Sequence, residues 1–441
     1  MFSIVKNTLF VFVLWVAVAH AHMPELVSEV EFYNPLDVPD RIMLTWTDDP
    51  ATSQAVTWRT AAVIDSAVAE LTVATPHGGY RKVEGMSDSA VTIPSTTQVL
   101  VTDLGEASYH SVEFKGLLPE TLYAYRVGDG ANWSEWFQFR TASRQRKPFK
   151  FIYFGDAQND VKSHWSRVIR QAYKHASDAR FIIHAGDMVN RHSRDAEWGD
   201  WFYAAGWING MLPSILAAGN HEYGANEEGA RYLSTHWRPQ FTLPTHGPEG
   251  LEETVYYVDY QGVRIVVLNT NEQLEEQVAW LDGVLADNPQ HWTVLTFHHP
   301  IFSAAAGRDN DDLRALWMPI IDRHEVDLVL QGHDHTYGRT RNVRDGLSMR
   351  DEDGGTVYVV SVSGPKMYES GVHPLMRRVA EDTQLYQIIE VDGDKLVYRA
   401  YMATGELYDA FNLIKGENGV NRLQEKMPRN SRERRREKVS Q

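Results

Sequence analysis

Phe149-Lys150-Phe151-Ile152-Tyr153-Phe154-Gly155-Asp156-Ala157-Gln158 decides the fold class of this chain. A run that is apolar except for Lys150 reads as a buried strand, and a glycine breaks it just before a carboxylate. The same order recurs downstream. Phe181-Ile182-Ile183-His184-Ala185 leads into Gly186-Asp187-Met188-Val189-Asn190-Arg191. Ser214 to Ala218 leads into Gly219-Asn220-His221-Glu222, and Thr293 to Phe297 leads into His298-His299-Pro300. Asp327 to Leu330 precedes Gly332-His333-Asp334-His335. Val263 to Leu268 is a further strand, and helical patterns cover Val161 to His175, Glu275 to Leu285 and Asp311 to Ile321. Strands alternating with helices predict an α/β domain. After Thr356 the pattern returns to strands at Val357 to Val362, Tyr386 to Val391 and Leu396 to Tyr401, which predicts late antiparallel strands completing a sheet.

Each motif follows a strand, and loops at the carboxyl ends of strands in such sheets converge on one ligand site. Aspartate, asparagine and histidine together supply hard oxygens and imidazoles, a donor set suited to divalent Zn, Mn or Fe. In all motifs but the fourth a glycine precedes the Asp, Asn or His, letting the backbone turn sharply. Two metals about 3.5–4 Å apart clamp the attacking and leaving oxygens of a phosphoryl transfer. A lone Gly-Asp is a turn and a lone His is usually structural. The ordered set carries the weight.

Upstream, Pro39 to Thr141 reads as all-β. Leu44-Thr45-Trp46, Ala55-Val56-Thr57-Trp58, Thr121 to Val127 and Trp136 to Arg140 alternate apolar and polar residues around turns. Several short strands within one such segment predict an Ig-like or fibronectin-like sandwich. Ser143 to Lys147, followed by Pro148, reads as a linker. Lys6, the apolar run Leu9 to Val18 and Ala19-His20-Ala21 form a signal-peptide pattern with cleavage before His22. That run is too short for a membrane anchor, which takes roughly 20 apolar residues, and no later stretch looks transmembrane.

Composition narrows the function classes. A chain of 441 residues predicts two domains, and 43% hydrophobic residues exclude global disorder. The formal charge of −16 argues against nucleic acid as a partner. With no cysteine there is neither a disulfide nor a thiolate ligand, which suits a bacterial periplasmic protein. Residues 427–441 carry six Arg or Lys and two Glu, and read as a solvated, disordered basic tail.

From about residue 38 to 405 the motifs resemble the calcineurin-like metallophosphoesterase superfamily, and the preceding β-sandwich resembles that of the purple acid phosphatases. The resemblance implies a four-layer αββα metallophosphoesterase domain over 149–405, after a fibronectin III/Ig-like domain over 38–143. Residues 1–21 are the signal peptide and 22–37 an N-terminal extension. It implies two metal ions of Fe, Zn or Mn. Asp156 and His335 bind the first; Asn220, His298 and His333 bind the second; Asp187 bridges both. His221 faces the substrate and protonates the leaving oxygen or stabilises the transition state, and a metal-bound hydroxide attacks phosphorus. His299 is the alternative to His298, which fits the family's His-x-Pro pattern.

Two positions depart from the family. Many members have His two residues after the first Asp. Purple acid phosphatases have Gly there and a metal-binding Tyr three residues after the second. Here these positions are Gln158 and Asn190. Each either lends a carbonyl oxygen to a metal or supports a ligand. Without that tyrosinate the iron charge-transfer colour of the purple enzymes is not expected. Arg308 either holds a substrate phosphate oxygen or is a solvated loop residue, and Tyr337 is placed at the pocket wall. His192, Trp198 and Trp201 either wall the cleft or belong to the core. The function expected is a secreted or periplasmic hydrolase of phosphate monoesters on small molecules, with no stable membrane anchor. A phosphodiesterase for nucleotides or lipid head groups, and a non-catalytic metal-binding surface protein, are the alternatives.

Overall fold

The computed structural model describes residues 26–76, 90–305, 307–429 and 431–436. The expected signal peptide lies outside them. Among the described residues no helix is long and apolar enough to cross a membrane.

The N-terminal domain is two four-stranded antiparallel sheets. One runs Asp40–Thr45, Ser53–Ala61, Gly105–Lys115, Thr96–Thr102; the other runs Val91–Pro94, Val68–Val73, Leu122–Gly128, Phe137–Arg140. Alternation along each strand gives one apolar face per sheet. Leu44, Val56, Trp58 and Phe114 of the first sheet pack with Tyr125, Phe137 and Phe139 of the second in a single core.

The second domain has two larger sheets. In the first, Ser214–Leu216, Ile182–His184 and Phe149–Phe154 are parallel, and Leu385–Asp392, Lys395–Met402, Leu407–Lys415 and Asn421–Glu425 continue it antiparallel. In the second, Val263–Val267, Trp292–Phe297, Leu328–Gln331 and Thr356–Val360 are parallel neighbours. Tyr256–Tyr260 and Tyr337–Arg344 flank them antiparallel. Tyr153, Ile183 and Ile389 face Ile265, Val294 and Leu330 between the sheets, while Ile152, Phe154 and Ile182 are buried on the opposite face, where Phe154 meets Trp165, so these strands are buried on both faces. Helices Glu276–Ala286 and Asp311–Arg323 cover the outside of the second sheet through Leu281, Leu313 and Trp317. Helices Ser166–His175 and Asp195–Ala205 cover the first. The four layers match the αββα expectation.

Three boundaries differ from the sequence reading. The sheet runs past residue 405 to Glu425. The stretch Val161 to His175 opens as a π-turn, Val161–Trp165, before the α-helix Ser166–His175. Residues 431–436, expected to be solvated, instead lie along strand Met376–Ala380. Arg434 bridges Ala380, the Arg436 guanidinium forks onto Asp382 at 2.8 and 2.7 Å, and its amide reaches Glu381 at 2.6 Å. Acidic partners far away in sequence neutralise this part of the tail.

Candidate metal centre

Asp156, Asp187, Asn220, His298, His333 and His335 all stand just beyond the carboxyl ends of strands, on one edge of the paired sheets. The backbone there is unusual. Asp156, Asp187 and His333 have φ of 31°, 52° and 70°, a region that L-residues other than glycine rarely adopt. Gly186, at φ 88°, leaves no space for a side chain: a Cβ would stand 2.6 Å from His298 Nδ1. A Cβ on Gly219 would stand 2.2 Å from Asp187 Oδ1. Both motif glycines are thus required by close approach. Glu222 ties the two loops together. Its carboxylate accepts from the amides of Asp187, Met188 and Gly219 at 2.8, 2.9 and 2.7 Å. Burial, with Asp187 beside it, pushes its carboxyl up to about 7. The sequence reading gave this residue no role.

The side chains form two ligand-competent groups, Asp156 with Asp187 and His335, and His298 with His299 and His333. Within each, the donor atoms lie inside 4.8 Å of one another. Asn220 Oδ1 joins the second group, 3.0 Å from His298 Nε2 and 2.8 Å from His333 Nδ1. Asp187 Oδ2 reaches across, 3.2 Å from His298 Nε2. His298 donates Nδ1–H to the Ala185 carbonyl at 2.8 Å, and His335 donates Nδ1–H to Lys366 O at 3.0 Å. Each therefore directs its Nε2 at the cluster. Among the described residues Asp156 Oδ1 and Gln158 Oε1 are buried with no hydrogen-bond partner.

Acceptors thus face acceptors in a buried site, the arrangement that a cation satisfies, so the donor set fits metal ions. The protonation equilibria agree. Burial, reinforced by Asp187, raises Asp156 well above the usual carboxylate range. Burial opposes ionisation of Asp187, yet His298 and His221 hold it below that range. Burial works to lower His298, but Asp187 and Asp156 carry it up to about 9. Burial pushes His299 and His335 down to about 3.

His221 flanks the cluster with a quarter of its side chain exposed. Its amide donates to Asp187 Oδ1 at 2.9 Å, and its Nδ1–H donates to the Asn190 carbonyl at 2.6 Å. Nε2 is left facing the site, 4.0 Å from Asp187 Oδ2. Gln158 donates its amide N–H to Asp187 Oδ2 at 2.8 Å and lies 3.2 Å from His335 Nε2, so it adjoins the first group. Asn190 meets the site through its backbone carbonyl. Arg308 is not a free loop residue: its guanidinium pairs with Asp334 and stands 2.6 Å from His333 Nε2. Tyr337, expected at the pocket wall, does not line the site. It is fully buried between the sheets, with its hydroxyl donating to Asp409 at 2.8 Å. Odd and even residues of a strand face opposite sides, and this register turns Tyr337 inward. Trp198 and Trp201 are core. Tyr368, which no sequence pattern singled out, packs on His335 with ring centres 4.7 Å apart and lies under the Arg308 guanidinium.

Known proteins share this organisation. The family model of the purple acid phosphatase N-terminal domain matches residues 39–141, and that of the calcineurin-like phosphoesterases matches residues 149–337. An uncharacterized protein of Mycobacterium tuberculosis is 26% identical over 336 residues, covering 67% of this chain and 61% of that protein. Probable inactive purple acid phosphatase 24 of Arabidopsis thaliana is 23% identical over 358 residues, covering 69% of this chain and 57% of that one. The chain thus spans less than two thirds of the length of these relatives. Among solved structures, purple acid phosphatase PPD1 from yellow lupin (Lupinus luteus) seeds superposes with a TM-score of 0.73. It is 18% identical, over 87% of this chain and 75% of that one. The structure of PhoD gives 0.64 at 13% identity, over 91% and 95%. These two likenesses concern the fold. With both domains matched in order, the chain belongs to the calcineurin-like metallophosphoesterases, in the two-domain arrangement of the purple acid phosphatases.

Proposed function

We propose that this chain is a secreted or periplasmic hydrolase of small phosphate monoesters that works with two metal ions. The observation that carries the reading is the position of Asp187, whose one carboxylate adjoins both ligand groups. Asp156, His335 and Asp187, with Gln158 beside them, would hold one metal; Asn220, His298, His333 and Asp187 would hold the other. When bound, the metals neutralise phosphoryl charge and supply a water of lowered pKa. The chain's own residues do the rest. The Ala185 and Lys366 carbonyls fix the tautomers of His298 and His335, so both present Nε2 without reorganisation. His221, held through Nδ1–H by the Asn190 carbonyl, would act as the imidazolium and pass its Nε2 proton to the leaving oxygen as the ester bond breaks, which leaves the Nδ1–H tautomer behind. Arg308 adds positive charge at the rim, where a phosphate oxygen would lie.

A second reading rests on relatives named as probable inactive phosphatases. In this chain Asp187, Asn220 and His221 are all present, which favours catalysis. The test is elemental analysis of the purified protein together with a panel of phosphomonoesters and diesters. About two metals per chain and metal-dependent turnover of monoesters are expected. Turnover of diesters alone would replace the monoester assignment, and full metal occupancy without turnover of any ester would overturn the enzyme reading.

A further inference from the structure

His221 is oriented by a single carbonyl, that of Asn190, in an irregular loop between Asp187 and the helix Asp195–Ala205. The peptide unit joining Asn190 to Arg191 is planar and trans, so its C=O and N–H point in opposite directions. The C=O aims at His221. The N–H, that of Arg191, donates to Glu197 Oε2 at 2.8 Å, and the N–H of Asn190 donates to the same oxygen at 2.9 Å. Glu197 Oε1 holds the Arg191 side chain at 2.6 Å. Glu197 and His221 therefore grip opposite sides of one rigid plate, and the angle of that plate sets the imidazole.

Glu197 is the third residue of its helix, and the start of that helix is fixed from the other domain. Asp103 of the β-sandwich accepts the first helical N–H, that of Asp195, at 2.8 Å, and also Arg194 Nη1 at 2.6 Å. A free N–H at a helix start needs such an acceptor, and here it comes from another domain. Arg41 of the sandwich forks onto the Asp195 carboxylate at 2.7 Å on both oxygens, and Arg59 adds a contact at 3.3 Å. Asp195, Arg41 and Arg59 are each about 3% exposed. Arg41 has φ 49° at an irregularity in its strand, where the register with Ser53–Ala61 shifts. Bulges of this kind re-aim side chains. A buried ion-pair network is a costly way to join two domains if adhesion alone is required.

We propose that the N-terminal β-sandwich is a positioning element of the catalytic centre. Asp103, Arg41 and Arg59 set the start of helix Asp195–Ala205. Glu197 on that helix sets the Asn190–Arg191 peptide, and that peptide sets the His221 ring. Glu197 and Asp103 are positioning residues, since neither reaches the metal cluster or substrate. The inference rests on the phosphoesterase reading only for its kinetic consequence.

The test uses the full chain with Glu197→Ala, Glu197→Gln and Asp103→Ala. In metal-free protein labelled with nitrogen-15 histidine, the His221 signal is assigned by its loss in His221→Ala. Wild type is expected to show one tautomer, protonated at Nδ1; Glu197→Ala and Asp103→Ala are expected to show a mixture. With p-nitrophenyl phosphate, Glu197→Ala should lower kcat about 10- to 100-fold, with KM within about threefold and metal content unchanged. Glu197→Gln, which keeps a carbonyl acceptor for the two amides, should recover most of the loss. An unchanged His221 tautomer in Glu197→Ala overturns the relay, and so does a loss of turnover that only tracks loss of metal. If wild type turns over no ester while the tautomer responds as described, the phosphoesterase reading fails and the relay stands.

Discussion

Asp187 Oδ2 stands 3.2 Å from His298 Nε2, while Gln158 Nε2 donates to the same oxygen from the other side at 2.8 Å. One carboxylate oxygen thus touches both halves of the cluster. Asp187→Ala is expected to remove both metals and all turnover. Elemental analysis checks the first and an ester assay the second, and a variant that keeps two metals and full activity rules out the bridging role.

Replacing His221 should separate chemistry from metal binding. His221→Ala is expected to retain the metals and slow kcat by about two to four decades, the usual size of a general acid contribution. Metal content is the decisive control: if it collapses, His221 is a ligand rather than a proton donor.

Colour provides a third check. Asn190 stands where purple acid phosphatases carry their tyrosine, so ferric loading should give no visible charge-transfer band. Tyr368, packed on His335, is the nearby phenol that a band would implicate. Tyr368→Phe would then abolish it and refute the expectation.

The interface between the domains should be unforgiving. Asp195→Ala leaves Arg41 buried without its bidentate partner, while Arg59 keeps Asp40 at 2.6 and 2.8 Å, and breaking a buried pair in this way typically costs about 3–5 kcal/mol. Urea unfolding of the variant measures this. A loss below about 1 kcal/mol would mean that water replaces the carboxylate at this interface.

Acid should weaken the β-sandwich through His110, whose ring nitrogens each lie 2.8 Å from a threonine hydroxyl, Thr60 and Thr97. Burial lowers this imidazole to about 4 in the folded state, against about 6.5 in an unfolded chain. The unfolded state therefore binds the proton first. The contribution is intact above pH 6.5 and is lost as pH falls towards 4. Between pH 7 and 4.5 the Tm of wild type should fall more steeply than that of His110→Gln. Parallel slopes would show that His110 takes no part.

The motif-bearing strands were legible because two-sided burial makes them nearly continuous apolar runs. Phe149–Phe154 and Trp292–Phe297 are of this kind, and their ligands follow directly. Helix Asp195–Ala205 was not legible. Trp198, Gly199, Trp201, Phe202 and Ala204 are buried around its circumference, so no amphipathic period marks it. Glu197 and Glu222 act on backbone amides of other loops, and no spacing in the sequence announces such a contact. The order of residues 431–436 is not legible in sequence, because Glu381 and Asp382, which hold them, are distant in the chain. The inward orientation of Tyr337 is not legible either, because proximity to His335 in sequence does not fix which face of a strand a residue occupies.

The pairing of Phe149–Phe154 with Leu385–Asp392 has a consequence for biogenesis. The strand that carries Asp156 gains its second neighbour only after most of the chain has been synthesised. The β-sandwich, complete by Arg140, needs no such wait, and domains made first generally fold first. Arg41, Arg59 and Asp103 are then already in place as a template when helix Asp195–Ala205 arrives. The sheet that bears Asp156 and Asp187 closes last, so a chain cut short before residue 385 would carry a folded first domain and an open second one.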